Sequence, residues 1–408
     1  MNILFVNEIP MNPLYGGIER VTDLLTKELV SRTGYNVFYL CSRIDNEGML
    51  DYDFPAKQLS LPYDGGFENE DNLRFYKDCL IGNKIDIVVN QRGWAPFMNN
   101  ALNMNGIPTI SVIHCIPKGA HVMYMAEILR HNKTFDGIWR YLLKLCIYPI
   151  YYAYKYYKSI NKLKNHYRFL VSNTSAVVLL SKKCKQEFDE IVKPFSPQCI
   201  TCSIPNPNTY LIPSDDTFKK ENIVLYVGRL SANQKNPMRL LKVWEKIYKS
   251  HKEWKLIFVG EGDALDDMKS YTLNRNLERV EFHGRRSNVD DYYRKADFIC
   301  LTSNFEGWGM TLTEGMSFGC IPFTFDNYGA ASEIIDDNIN GCLIPPFDLK
   351  TYSGRLSELM CNEHRRTCMS RSAMEKVKSF DVPVVGDKWA KLFSKVSKEN
   401  KTIKNIIE

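Results

Sequence analysis

Apolar residues in this chain gather into short unbroken runs, separated by stretches in which they recur every three or four positions. The first run, NILFVN (2–7), reads as a buried strand. In the next stretch, IERVTDLLTKELVSR, Ile18, Val21, Leu24, Leu25 and Leu29 share one helical face, and Gly34 follows as a stop. NVFYLCS (36–42), DIVVNQ (86–91), PTISVIH (108–114) and AVVLLS (176–181) are further candidate strands. Near-continuous Val/Ile/Leu runs predict a parallel sheet covered on both faces. The pattern then breaks at IPNPNTYLIPSDDTFKKEN (204–222), rich in Pro, Asn, Asp and Ser, which reads as a linker between domains.

After that break the alternation restarts. NIVLYVG (222–228), KLIFVG (255–260), RVEFHG (279–284), DFICLT (297–302), CIPFTF (320–325) and GCLIPP (341–346) are strand candidates, and PMRLLKVWEKIYK is a helix with Pro at its start. The expected architecture is two doubly wound α/β domains of similar size: 1–205, a linker 206–221, and 222–384, with a final segment 385–408. Ligands in such sheets sit at the carboxyl ends of the strands, and two such domains facing each other make a cleft.

Composition alters this picture little. With 44% hydrophobic and 25% charged residues the chain is an ordinary globular one, and 408 residues suffice for two cores. MNILFVNEIP has an acid where a secretory signal needs a basic region, and no run of about 18 uncharged apolar residues offers a membrane span. Twelve scattered cysteines then read as reduced thiols of a cytoplasmic protein.

Charge adds one local feature. Residues 130–168 hold nine Lys or Arg against one acid, Asp136, although the net charge of the whole chain is only +6. The same segment contains YPIYYAYKYYK (148–158). Residues 135–169 read either as core helices with a solvated lysine face or as a membrane-surface element that meets anionic headgroups. A single-stranded nucleic acid is a poorer fit to a two-domain α/β pattern.

The stretch SNFEGWGMTLTEGMSFG (303–319) carries the main chemical signal. Glu306 lies in the loop at the carboxyl end of the strand DFICLT, and a helix starting near Met310 places Glu314 in its first or second turn. Backbone amides around Gly307, Trp308, Gly309, Met310 and Thr311 would form an anion-binding helix N-terminus. Two solvated surface glutamates are the plain alternative. In YVGRLSANQKN (226–236), Arg229 and Lys235 follow a strand end directly, as a diphosphate clamp or as ordinary surface cations. Gly16 and Gly17 precede the first long helix, a weak sign of an anion-facing loop. His114 ends a strand, where a lone histidine is more often structural than functional.

Metal is not implied. DYD (51–53) lies in a polar loop without the expected preceding strand, CITC (199–202) has no second pair and fits strand alternation, and Cys361, His364 and Cys368 lack a fourth ligand.

Taken together, VGRL…QKN, FEGWGMTLTEGMSFGCIP and ASEIID…NGCLI occur in the order seen in the retaining glycosyltransferases of family four, and the chain resembles them over most of its length. GGIER, the histidine after a strand, and IPNPN resemble the family more loosely. The resemblance implies the GT-B fold: two Rossmann-like domains facing a cleft, with VGDKWAKLFSKV (385–396) as the segment that crosses back to the first. It implies no cofactor, but a nucleoside-diphosphate sugar as donor, UDP first and GDP second. The acceptor would be a glycan or lipid-linked glycan, bound mainly by the first domain at the inner face of the cell membrane.

Carried over by residue, the resemblance gives Arg229 and Lys235 the donor diphosphate, Glu306 the sugar hydroxyls, Glu314 the ribose hydroxyls, His114 a donor-sugar contact and Gly17 an approach to the phosphates. The implied reaction is a front-side displacement with retention, in which the leaving diphosphate helps take the acceptor proton. Trp308, Gly315 and NYGAASE (327–333) depart from the usual family residues. A glycoside hydrolase using the two glutamates, a nucleotide-sugar epimerase on the same fold and a non-catalytic membrane-associated glycan-binding protein are the competing readings.

Overall fold

A computed structural model describes the chain except for residues 33, 43–53, 119–137, 194–198, 214–217 and 408, and gives only the backbone for 138–153 and 400–407. DYD (51–53) and the start of the aromatic-basic segment, 135–137, lie outside the described residues. Two compact units result: Met1–Ile204 together with Lys388–Glu408, and Pro205–Asp387.

The first unit is built on seven parallel strands: β1 (Asn2–Asn7), β2 (Asn36–Cys41), β3 (Lys57–Ser60), β4 (Ile87–Asn90), β5 (Thr109–Ile113), β6 (Ala176–Leu179) and β7 (Ile200–Ser203). Their order is β3-β2-β1-β4-β5-β6-β7. The change of direction beside β1 sets the carboxyl ends of β1 and β4 next to each other. Near-continuous burial of β1, β4, β5 and β6 accounts for their predominantly apolar sequences. Edge strand β3, KQLS, has none of that signature and is at most half buried.

The second unit has six parallel strands: β8 (Ile223–Val227), β9 (Lys255–Val259), β10 (Val280–Phe282), β11 (Phe298–Cys300), β12 (Ile321–Phe325) and β13 (Cys342–Ile344). Their order is β10-β9-β8-β11-β12-β13, with β8 and β11 adjacent at the reversal. Of the expected linker 206–221, the described residues belong to this unit, and the Asn208 amide donates to the Phe380 carbonyl at 2.8 Å.

Two long helices complete the chain. Ile138–Asn173 is one helix, so the aromatic-basic segment from Ile138 onward is continuous rather than broken into several core helices. Val382–Ile407 begins in the second unit, and from Lys388 onward belongs to the first, where Phe393 meets Tyr35 at 6.3 Å between ring centres. No described helix is long and apolar enough to cross a membrane.

Candidate active site

The second unit's candidate residues stand on the loops that leave β8 and β11, the two strands at the reversal. Leaving β8, Gly228 takes a φ of +144°, and the chain turns sharply into Arg229. The Leu230 amide donates to Glu261 O at 2.8 Å, and the Ala264 amide to Leu230 O at 2.9 Å, which fixes this turn against the loop after β9. The fit requires two glycines: a Cβ on Gly260 would lie 2.0 Å from Gly228 O, and one on Gly262 2.5 Å from Leu230 O.

The following loop is fastened to the one after β11. The Asn304 amide donates to Gln234 O at 2.7 Å, and the Thr302 hydroxyl to Asn236 O at 3.0 Å. Asn327 Nδ2 closes the far side, donating to Ser303 O and Asn304 O at 3.1 and 2.8 Å. These bonds deliver Lys235 to Glu306 across 71 positions of sequence.

Lys235 Nζ donates to both Glu306 oxygens, at 2.6 and 2.8 Å, and Ser303 Oγ donates to Oε1 at 2.6 Å. Glu306 is 4% exposed, a carboxylate held almost entirely by protein donors. Arg229, in contrast, is exposed at the edge of the same loop. This arrangement offers an ammonium, a guanidinium and a carboxylate at one sheet end, the donor set that a charged diphosphate bearing a sugar would need.

Gly309 caps the helix Met310–Ser317 with a φ of +96°, a torsion costly for any other residue. Glu314 falls in the second turn of that helix and is 2% exposed. Thr209 Oγ1 donates to its Oε1 at 2.8 Å, and Tyr293 OH to its Oε2 at 2.9 Å. The two glutamates thus have separate sets of partners. Gly307, Met310 and Thr311 are half-buried around the helix start. Trp308 is different: its ring is buried, edge-on to Phe380 at 5.1 Å, with Nε1 unpartnered. What Trp308 can offer a ligand is its backbone.

The first unit carries the other candidates. His114, just after β5, has Nε2 2.7 Å from Gln91 Oε1, and the carbonyl oxygen there can only accept. Nε2 therefore carries the proton, while Nδ1 is buried and unpartnered. Burial, and secondarily the Arg92 charge, push the imidazole down to about 3, so it is neutral near pH 7. Gly16 caps the helix Gly17–Ser31 in extended conformation. A Cβ on Gly16 would come within 2.8 Å of Glu19 Oε2, so this helix start is already faced by a carboxylate of its own. Glu19 in turn accepts from Asn7 Nδ2 at 2.8 Å, and Arg92 Nε donates to Asn7 Oδ1 at 3.0 Å.

Sequence reasoning overlooked Ser303, Thr209, Tyr293, Gln91 and Arg92. For Gln91 and Arg92 a signal was present: polar residues directly after the apolar run of β4. Thr209 and Tyr293 carry no such mark. Among the described residues, no group of three or more His, Cys, Asp or Glu is arranged to hold a metal. Cys202 lies in β7, and His364 Nε2 lies 3.8 Å from Cys368 Sγ.

Residues 211–376 match the glycosyl transferases group 1 family. Over 183 residues the chain is 31% identical to the Campylobacter jejuni GalNAc-alpha-(1->4)-GalNAc-alpha-(1->3)-diNAcBac-PP-undecaprenol alpha-1,4-N-acetyl-D-galactosaminyltransferase, covering 45% of this chain and 50% of that one. The chain spans about half the length of the first curated relatives it matches. Anabaena HepE, solved with UDP and glucose, superposes with a TM-score of 0.71 at 17% identity, covering 97% of this chain and all of the other. Sucrose-phosphate synthase from Thermosynechococcus elongatus superposes with a TM-score of 0.74 at 16% identity, covering 97% and 98%. The chain has the GT-B fold, and its residues 211–376 match the glycosyl transferases group 1 family.

Proposed function

We propose that this chain is a retaining glycosyltransferase. It moves a hexose or N-acetylhexosamine from a nucleoside-diphosphate sugar, UDP first and GDP second, to a glycan or lipid-linked acceptor in surface polysaccharide or glycolipid synthesis. The observation that carries this reading is the Lys235–Glu306 pair, fastened at the sheet reversal beside the exposed Arg229. Arg229 and Lys235 hold the diphosphate and stabilise its charge as it leaves. Glu306, already an acceptor for Lys235 and Ser303, takes sugar hydroxyls, and Glu314 takes the ribose. His114, neutral in the first unit, takes the donor-sugar contact that the family resemblance implies. A front-side displacement asks nothing more of the side chains than to position and to bind. The UDP in the HepE structure and the undecaprenol-linked substrate named for the Campylobacter relative support the same substrate classes.

A hydrolase reading gives Lys235 and Arg229 no task, and asks Glu306 to deliver a proton from a carboxylate that accepts three hydrogen bonds. The test is a thermal-shift screen with UDP, GDP, ADP and their sugar conjugates, with and without EDTA, followed by transfer assays. A shift with one nucleotide family that EDTA leaves unchanged, then transfer to a glycan acceptor, is the expected result. Hydrolysis of glycans without nucleotide, epimerisation without acceptor, or no response to any nucleotide would each overturn it.

One observation also favours contact with a membrane surface. On the helix Ile138–Asn173, Tyr154, Tyr156 and Tyr157 are 59, 47 and 65% exposed, and Lys158 and Lys162 are exposed too. Aromatic rings among lysines suit the headgroup level of an anionic bilayer, here the inner face of the cell membrane. Co-sedimentation with phosphatidylglycerol vesicles but not with phosphatidylcholine vesicles is expected; equal recovery in both supernatants would remove this reading.

A further inference from the structure

We propose that Thr209 and Tyr293 are positioning residues of the donor site, whose two hydroxyls fix the Glu314 carboxylate in the orientation that accepts the ribose diol of the nucleotide. This inference rests on the glycosyltransferase reading above. Thr209 Oγ1 and Tyr293 OH donate to opposite oxygens of Glu314, at 2.8 and 2.9 Å, so the carboxylate plane is fixed at both ends. Each carboxylate oxygen accepts more than one hydrogen bond, so neither hydroxyl excludes a diol. Tyr293 is fully buried, and burial followed by the Glu314 charge raises its phenol far above the ordinary value, which keeps it an O–H donor.

Thr209 is itself held in place. It lies just after the boundary between the two units, in the segment whose composition reads as linker. Next to it, Asn208 donates through Nδ2 to Ser317 Oγ at 2.5 Å and to Tyr210 O at 2.6 Å, and Ser317 Oγ reaches Tyr210 O at 3.1 Å. Ser317 and Glu314 share one helix, so the segment grips that helix at two points. Tyr210 also packs edge-on to Tyr293, at 6.1 Å. Thr209 and Tyr293 are thus parts of one assembly around Glu314, although 84 positions separate them in sequence.

A buried carboxylate needs hydrogen bonds whatever its function. A merely structural role for the two hydroxyls predicts equal effects on all nucleotides, and a positioning role predicts an effect only on nucleotides that carry the diol. The experiment is calorimetric titration of UDP and of 2′,3′-dideoxy-UDP into the full chain, with GDP and its dideoxy analogue instead if the screen selects guanine. Thr209→Val and Tyr293→Phe are expected to weaken UDP roughly five- to twenty-fold, part of what a hydrogen bond to a charged group contributes. They should leave dideoxy-UDP unchanged, and Thr209→Ser should keep wild-type affinity. Urea melts confirm that each variant folds. Wild-type UDP affinity in both variants, or equal weakening of UDP and dideoxy-UDP, would overturn the inference. If the wild type binds both nucleotides equally but still transfers sugar, Glu314 does not hold the ribose; the inference falls and the transferase reading stands. If the wild type binds no nucleotide, both fall.

Discussion

Lys235 sets its ammonium on both oxygens of Glu306, at 2.6 and 2.8 Å, and so ties the loop after β8 to the loop after β11. Glu306 is 4% exposed, and Lys235 keeps 19% side-chain exposure. Removing one partner leaves a buried charge behind, which costs more than the pair itself contributes. Lys235→Ala should therefore lose about 2 kcal/mol of stability, below the cost for a fully buried pair. Lys235→Met combined with Glu306→Gln should recover more than half of that in urea melts. Both Lys235→Ala and Glu306→Gln should also cut sugar transfer at least ~100-fold, the scale of one lost transition-state donor or acceptor. Near-normal turnover in both variants would remove the site assignment.

Two glycines should respond in opposite directions to the same substitution. Gly260 has a φ of +144°, and an added Cβ would collide with Gly228 O at 2.0 Å. Gly260→Ala is expected to lose about 3 kcal/mol or to misfold, because backbone cannot rotate away as a side chain can. Gly354 lies inside the helix Leu349–Met360, and a Cβ added there would meet nothing within 4 Å. Gly354→Ala should stabilise by about 0.5–1 kcal/mol through helix propensity. Melting temperatures of the two variants decide the matter; the same sign in both would contradict it.

Trp308 tests the difference between side chain and backbone in the donor loop. Its ring is buried against Phe380, with Nε1 unpartnered. Trp308→Phe removes an unsatisfied N–H and should cost under about 1.5 kcal/mol. Trp308→Ala leaves a cavity and should cost about 3–5 kcal/mol. If the indole itself grips the ligand, Trp308→Phe will lower nucleotide affinity sharply with little change in melting temperature, and the backbone-only role fails.

Acid should destabilise the fold partly through His114. Its pKa falls from 6.5 in the unfolded chain to about 3 in the fold. Between those values the unfolded chain binds the proton and the native state does not, so stability is full above pH 6.5 and declines as pH falls toward 3. The slope approaches about 1.4 kcal/mol per pH unit well below the unfolded value. Burial lowers His166 and His251 in the same direction. Melting curves from about pH 8 to pH 5 should show a flatter decline for His114→Asn than for the wild type; identical slopes would count against the buried neutral imidazole.

The strand and helix alternation is legible in the sequence where strands are buried on both faces. β1, β4, β5, β8 and β12 are predominantly apolar for that reason. Edge strand β3 is not legible, since KQLS has no face to bury continuously. The prolines and asparagines of 205–213 announce irregular backbone, and irregular backbone can still pack, as Asn208 and Thr209 do. In the site, Glu306 and Glu314 are legible from glycines and spacing at a strand end. Lys235 is legible too, as a cation after a strand end, but its pairing with Glu306 across 71 positions is not, nor is Thr209, 105 positions from Glu314; only the fold brings them together. The direction of the Trp308 ring is likewise set by Phe380, far along the chain.

The helix Val382–Ile407 bears on the order in which the molecule can be made. The second unit is one continuous stretch, Pro205–Asp387, whereas the first needs both Met1–Ile204 and Lys388–Glu408. During synthesis at about 5–20 residues per second, the second unit has all of its residues before the first does, although the first starts earlier. The nascent first unit must wait with its apolar helix seat, including Tyr35, unfilled by Phe393. Chains truncated after Asp387 and released from the ribosome should therefore present a protease-resistant second unit beside a protease-sensitive first one.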